Sequence, residues 1–135
     1  MGTEVSYGYT RTLPGVGYDE AVARVTEALK AEGFGVLTTI DVKETLKQKL
    51  GVDFRRYVIL GACNPQLAHR ALTLEPGVGL LLPCNVVVCE SPQGAVVQMV
   101  KPEAMLGVVE RKELEPIAQD ADARLRRALE ALGTR

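Results

Sequence analysis

The sequence predicts a single α+β domain, with helices packed on one face of a mostly antiparallel or mixed sheet. Three observations carry this reading. Stretches of two-residue and 3.6-residue apolar periodicity alternate in the order strand, helix, strand, helix, strand, helix, hairpin, helix. The turn Ser91-Pro-Gln-Gly94 is too short for a parallel crossover, so the strands flanking it pair antiparallel. The 135 residues contain no linker, repeat or low-complexity tract and fit one domain over 1–135. A chain of this length buries roughly two thirds of its unfolded surface, so its core needs neither metal nor disulfide.

The elements follow in order. Val5, Tyr7 and Tyr9 alternate within a first strand over residues 3–11, and Leu13 to Gly17 form a turn. Tyr18, Val22, Val25 and Leu29 make one face of a helix that Gly33 stops. Phe34 to Ile40 is an apolar strand rich in β-branched residues. Asp41, with Glu44 three residues on, opens a short helix from Val42 to Leu50, closed by Gly51. Phe54 to Cys63 reads as a strand. Asn64-Pro65 then starts a helix, because Asn is a good N-cap and Pro suits the first helical position. Leu67, Ala68, Ala71 and Leu72 form its expected buried face, and Glu75-Pro-Gly77 ends it. Leu80 to Leu82 lead through Pro83 into the strand Cys84–Glu90, and Ala95–Val100 returns beside it. A short helical piece is expected near Met105. The last helix begins near Pro116 and carries a broad apolar stripe through Ile117, Ala121, Leu125 and Leu132. Asp120 with Arg124, and Asp122 with Arg126, are i,i+4 pairs expected on its solvent face.

Composition excludes several classes. Apolar residues are 47% and charged residues 24%, a globular balance. A net charge of −1, from 16 basic and 17 acidic residues, lacks the basic excess of a nucleic-acid or membrane-surface binder, so neither partner is expected. No apolar stretch reaches the length of a bilayer span. The opening Met1-Gly-Thr-Glu-Val-Ser lacks the basic and apolar blocks of an export signal. With three cysteines, an odd number, this leads to the expectation of reduced thiols in the cytoplasm. Ten Arg against two Asn is compatible with a heat-adapted prokaryote.

Candidate chemistry concentrates at two places. Cys63 ends a strand immediately before a helix N-cap, where backbone N–H groups and the helix dipole favour a thiolate or a bound anion. Cys84 follows Pro83 at a loop-to-strand corner. On that strand Cys84, Val86, Val88 and Glu90 share one face, and Asn85, Val87 and Cys89 the other, which makes Cys89 an inert packing group. His69, the only histidine, is expected at the surface and sits poorly to serve Cys63 as a base. Without a Cys-x-x-Cys pair no metal site is expected. Neither Gly15-Val-Gly17 nor Gly77-Val-Gly79 has the context of a phosphate loop, so no cofactor is expected either.

Leu60-Gly-Ala-Cys-Asn-Pro65 with Ala68 and Ala71, and Leu81-Leu-Pro-Cys-Asn-Val-Val-Val-Cys-Glu90, resemble the prokaryotic family called domain of unknown function 302. Glu32-Gly-Phe-Gly-Val36 leading into Ile40-Asp-Val42 fits it too. The resemblance implies a layout like that of the TATA-binding protein and a homodimer, and it implies no known reaction. Its pattern covers Cys63, Asn64, Pro65, Pro83, Cys84 and Glu90 and leaves out Cys89. The expected function is a homodimeric domain that binds or senses a small molecule or anion at a cleft of Cys63, Asn64, Cys84, Glu90 and His69. One alternative is a thiol-dependent enzyme or redox protein using Cys84 or Cys63. The other is a protein-interaction module in which the motifs only maintain the fold.

Overall fold

The computed structural model describes residues 5–133. Five strands, β1 (Gly8–Pro14), β2 (Gly35–Asp41), β3 (Tyr57–Cys63), β4 (Cys84–Cys89) and β5 (Gly94–Val100), form one sheet in the order β1-β5-β4-β3-β2. Every neighbouring pair is antiparallel. The helices are α1 (Tyr18–Ala31), α2 (Val42–Leu50), α3 (Pro65–Leu74), α4 (Pro102–Leu106) and α5 (Glu115–Ala131). The fold is α+β, and the sheet is wholly antiparallel rather than mixed.

Period-two alternation decides which residues enter the core. Val58, Leu60 and Ala62 of β3, Cys84, Val86 and Val88 of β4, and Ala95, Val97 and Met99 of β5 share one face. They pack with Val25 and Leu29 of α1, Leu67 and Ala71 of α3, Leu106 of α4 and Leu125 and Ala128 of α5. Each Leu or Val so buried adds roughly 1.5–3 kcal/mol of hydrophobic stabilisation. Cys89 and Val96 face each other on the opposite side of the sheet, buried outside that cluster.

Local signals explain the helix ends. Asp41 Oδ1 accepts from the Glu44 backbone N–H at 2.9 Å, and Gly51 closes α2 in the left-handed region at φ 69°. Asn64 caps α3 with Pro65 at its first position. Gly33, at φ 86°, lets the chain turn back so that the Phe34 N–H reaches the Leu29 carbonyl.

Several expectations are corrected. The first strand starts at Gly8 and runs through Pro14, so Tyr7 lies in the preceding turn, and residues 3 and 4 of the expected strand lie outside the described residues. The strand before Cys63 begins at Tyr57 because residues 51–56 form no ladder. Leu72 is 38% exposed, since α3 buries only the Leu67–Ala71 edge. Residues Pro76–Leu81 form a 3-10 turn that buries Val78 and leaves Leu80 in solvent. On α5, Asp122 is buried beside Ala118 and Ala121 of the stripe rather than on the solvent side.

The two sheet edges differ. The β1 edge is fastened by α5, where Tyr9 Oη donates to Asp122 Oδ1 at 2.6 Å. The β2 edge carries no further strand, and all of β2 but Val36 is exposed. Leu37, at the register shift between Val36 and Thr38, and Ile40 stand in solvent beside α2, which has no buried residue. Among the described residues no helix is long and apolar enough to cross a membrane.

Candidate functional site

The first signature block is built by steric and capping requirements. A Cβ on Gly61 would lie 2.1 Å from Thr38 Oγ1 and 2.8 Å from Pro83 Cγ, so the strand passes under both only as glycine. Two residues on, the chain leaves β3 and Asn64 turns it into α3. Asn64 is 9% exposed, and its Oδ1 accepts from the Leu67 backbone N–H at 3.2 Å. Such a cap contributes about 1 kcal/mol. A Cβ on Gly33 would meet Asn64 Nδ2 at 2.8 Å, so the β2 entry and the α3 cap depend on one another.

The second block closes the site. Leu82–Pro83 is a cis peptide, and Pro83 delivers Cys84 to the first position of β4, opposite Ala62 of β3. The two blocks meet around a cavity of about 40 Å³. Cys63, Asn64 and Cys84 all line it. Phe34, Ala68, Met105, Ile117 and Ala121 complete much of the wall, which contains no acidic, basic or histidine side chain.

The electrostatics oppose an activated thiol. Burial, and after it the charge of Cys63, push the Cys84 thiol up to about 11. Burial also raises the Cys63 thiol. Burial disfavours the thiolate at both positions, and both sulfurs are protonated at neutral pH. The Asn64 carbonyl oxygen that faces α3 is used in capping.

The other expected site residues lie elsewhere. His69 is exposed on α3, in a shallow groove with Arg70 and Thr73. Glu90 follows the far end of β4 from Cys84, where its Oε2 accepts from the Arg56 backbone N–H at 2.8 Å. Cys89 is buried on the other face of the sheet. No group of three or more His, Cys, Asp or Glu that could hold a metal occurs among the described residues. A wider cleft of about 360 Å³ lies between α4 and α5. Its Glu103, Glu110, Arg111, Lys112 and Glu115 mix both charges, and neither signature block reaches it.

Sequence reasoning missed Phe34, Met105, Ile117 and Ala121 as cavity residues. The α5 stripe marked Ile117 and Ala121 as buried, but no local signal distinguishes a residue lining a cavity from one filling a core. Met105 lies in a five-residue helix with too little periodicity to orient it.

A small α+β domain with one apolar cavity walled by two sequence blocks is the class of protein that this geometry defines. The family described as "Domain of unknown function DUF302" matches residues 9–132. The chain belongs to that family. It is similar to the crystal structure of an uncharacterized conserved protein DUF302 from Bacillus stearothermophilus. The identity is 38% and the TM-score 0.85, over 93% of this chain and 98% of that one. No curated protein matches the chain.

Proposed function

We propose that the chain is a homodimeric binding domain whose site is the cavity between β3, α3, the start of β4 and α4. The observation that carries this reading is the meeting of both signature blocks, Cys63-Asn64 and Pro83-Cys84, on one cavity. The apolar wall favours a small ligand held by apolar and sulfur contacts over the anion expected at the helix start. Raised thiol pKa values and a wall without a base count against a nucleophilic cysteine. Support for the homodimer comes from β2, an exposed edge strand that carries Leu37 and Ile40 in solvent. Lys43, Lys47 and Lys49 with Asp41, Glu44 and Asp53 give this region both charges, so it complements a second copy of itself.

The test uses xenon, a neutral monatomic probe, and methyl NMR of the native protein under xenon pressure. The Met105 and Ile117 methyl resonances shift saturably with xenon, and Ala68→Leu, which fills the wall, abolishes the shift. Unmoved resonances at xenon saturation overturn the reading.

A further inference from the structure

We infer that the face of the sheet opposite the helical core is the surface on which a second copy of this chain packs, sheet against sheet. The inference rests on the homodimer reading above and names the surface that carries it.

The core helices α1, α3, α4 and α5 pack on one face of the sheet. The other face carries Ile40 of β2, Ile59 of β3, Asn85 and Val87 of β4, and Gln98 and Val100 of β5. Val87 lies on the central strand, in register with Ile59 and then Ile40 on one side and with Gln98 and then Thr10 on the other. Charged residues make up 24% of the chain, and the solvated face of an antiparallel sheet ordinarily draws on them. The strands of this sheet hold only Arg11 and Asp41, and these pair with Val97 and Val58, residues of the helix-covered face. The opposite face therefore has no charge on any strand. Depletion of charge at the centre of a patch marks a surface that another protein covers. Two exposed aromatic residues border it. Phe54 stands edge-on to the Tyr57 ring at 6.0 Å, and Tyr7 shares a groove with Tyr57, Val87 and Gln98.

The chemistry of this face selects a copy of itself. In a two-fold contact each patch meets the same patch of its partner, so a charge near the axis meets a like charge. Valine and isoleucine side chains and amides escape that penalty. A primary amide carries donors and an acceptor together, so Asn85 and Gln98 can each pair with their own counterpart. A strongly acidic or basic partner, nucleic acid included, finds no opposite charge on these strands. Antiparallel sheets stack face to face about 10 Å apart by interleaving such side chains. The row through Val87 and Ile59 runs out to the exposed Ile40, so the contact is continuous with the β2 edge and leaves Leu37 at its margin.

The experiment is sedimentation velocity on the full chain, comparing the parent with Val87→Lys, Asn85→Lys, Val108→Lys and Leu37→Asp. The parent should sediment at twice the chain mass. Val87→Lys and Asn85→Lys should each weaken the dimer at least about 100-fold, by setting like charges against each other across the two-fold axis. Val108→Lys makes the same exchange at a 71% exposed position outside the sheet and should leave the dimer intact. Asn85 is exposed in the single chain, so Asn85→Lys leaves the core packed and keeps the test decisive if Val87→Lys unfolds; circular dichroism checks both. A dimer that persists in folded Asn85→Lys overturns the inference, and if Leu37→Asp separates that dimer, the homodimer reading survives through the β2 edge alone. Equal dissociation by Val108→Lys overturns the inference as well. A parent of single-chain mass gives this face to another uncharged occupant and overturns both readings.

Discussion

Tyr9 Oη donates a 2.6 Å hydrogen bond to Asp122 Oδ1 across 113 residues of sequence, joining the edge strand β1 to the buried side of α5. Lys101 Nζ lies 5.1 Å and the Arg126 guanidinium 5.8 Å from the centre of the Tyr9 ring. Arg126 also pairs with Asp122 at 3.7 Å. The acid is thus buried with two partners, and the phenol supplies the shorter contact.

Tyr9→Phe leaves the Asp122 carboxylate short of a donor. The expected loss is about 1–3 kcal/mol in urea unfolding at pH 7. A loss below about 0.3 kcal/mol would mean that Arg126 or water replaces the phenol.

The same contact gives an alkaline signature. Burial and the hydrogen bond to Asp122 push the Tyr9 phenol up to about 12, above its ordinary 10.0. The folded protein therefore holds this proton more tightly than the unfolded chain. The contribution is complete below pH 10 and is lost as pH rises through 12. The parent's melting temperature should fall more steeply than that of Tyr9→Phe over this interval, and parallel curves would contradict the linkage.

Gly61→Ala should cost about 1–3 kcal/mol by overpacking, since its Cβ would collide with Thr38 Oγ1 and the Pro83 ring. Removing the hydroxyl by Thr38→Ala should restore part of that loss. Thermal unfolding of the two single variants and the double variant measures the coupling, and additive losses would exclude it.

Iodoacetamide labelling of the native protein should be slow at pH 8 for both cavity thiols, with the half-exposed Cys63 ahead of Cys84. The Cys84 midpoint should lie near its raised value of about 11. Peptide mass spectrometry reads both residues. Rapid labelling of Cys84 at pH 7 would revive the nucleophile reading.

The edge strand predicts assembly. The parent should sediment at twice the chain mass, and Leu37→Asp should reduce it to the chain mass by placing a charge at the free edge of β2. A parent of single-chain mass at tens of micromolar would overturn the dimer proposal.

What could be read from sequence was what short-range geometry determines. Asp41 with Glu44, Gly51, and Asn64 with Pro65 each act within one helical turn, so residue type and spacing located those helix ends. Period two separated Cys84 from Cys89 because β4 is regular. Leu72 was misassigned because α3 has apolar residues around more than one side, and tertiary packing selected the Leu67–Ala71 edge. Tyr9 with Asp122, and Gly61 with Thr38 and Pro83, depend on which strands become neighbours, and local pattern does not encode that. The site was half legible: its two blocks stood out by residue type, while Met105 and the α5 wall came from distant chain.

The strand order has a consequence for how the chain acquires its shape. The pairs β2–β3, β3–β4 and β4–β5 join strands consecutive in sequence, but β1 pairs with β5 across 80 to 92 residues. Its outer clasp, Tyr9 to Asp122, spans 113 residues. During synthesis the first strand leaves the ribosome long before either partner exists. Four strands can assemble while β1 waits, and the rate of native-state formation is then set by the capture of that first strand, the step with the largest loop to close.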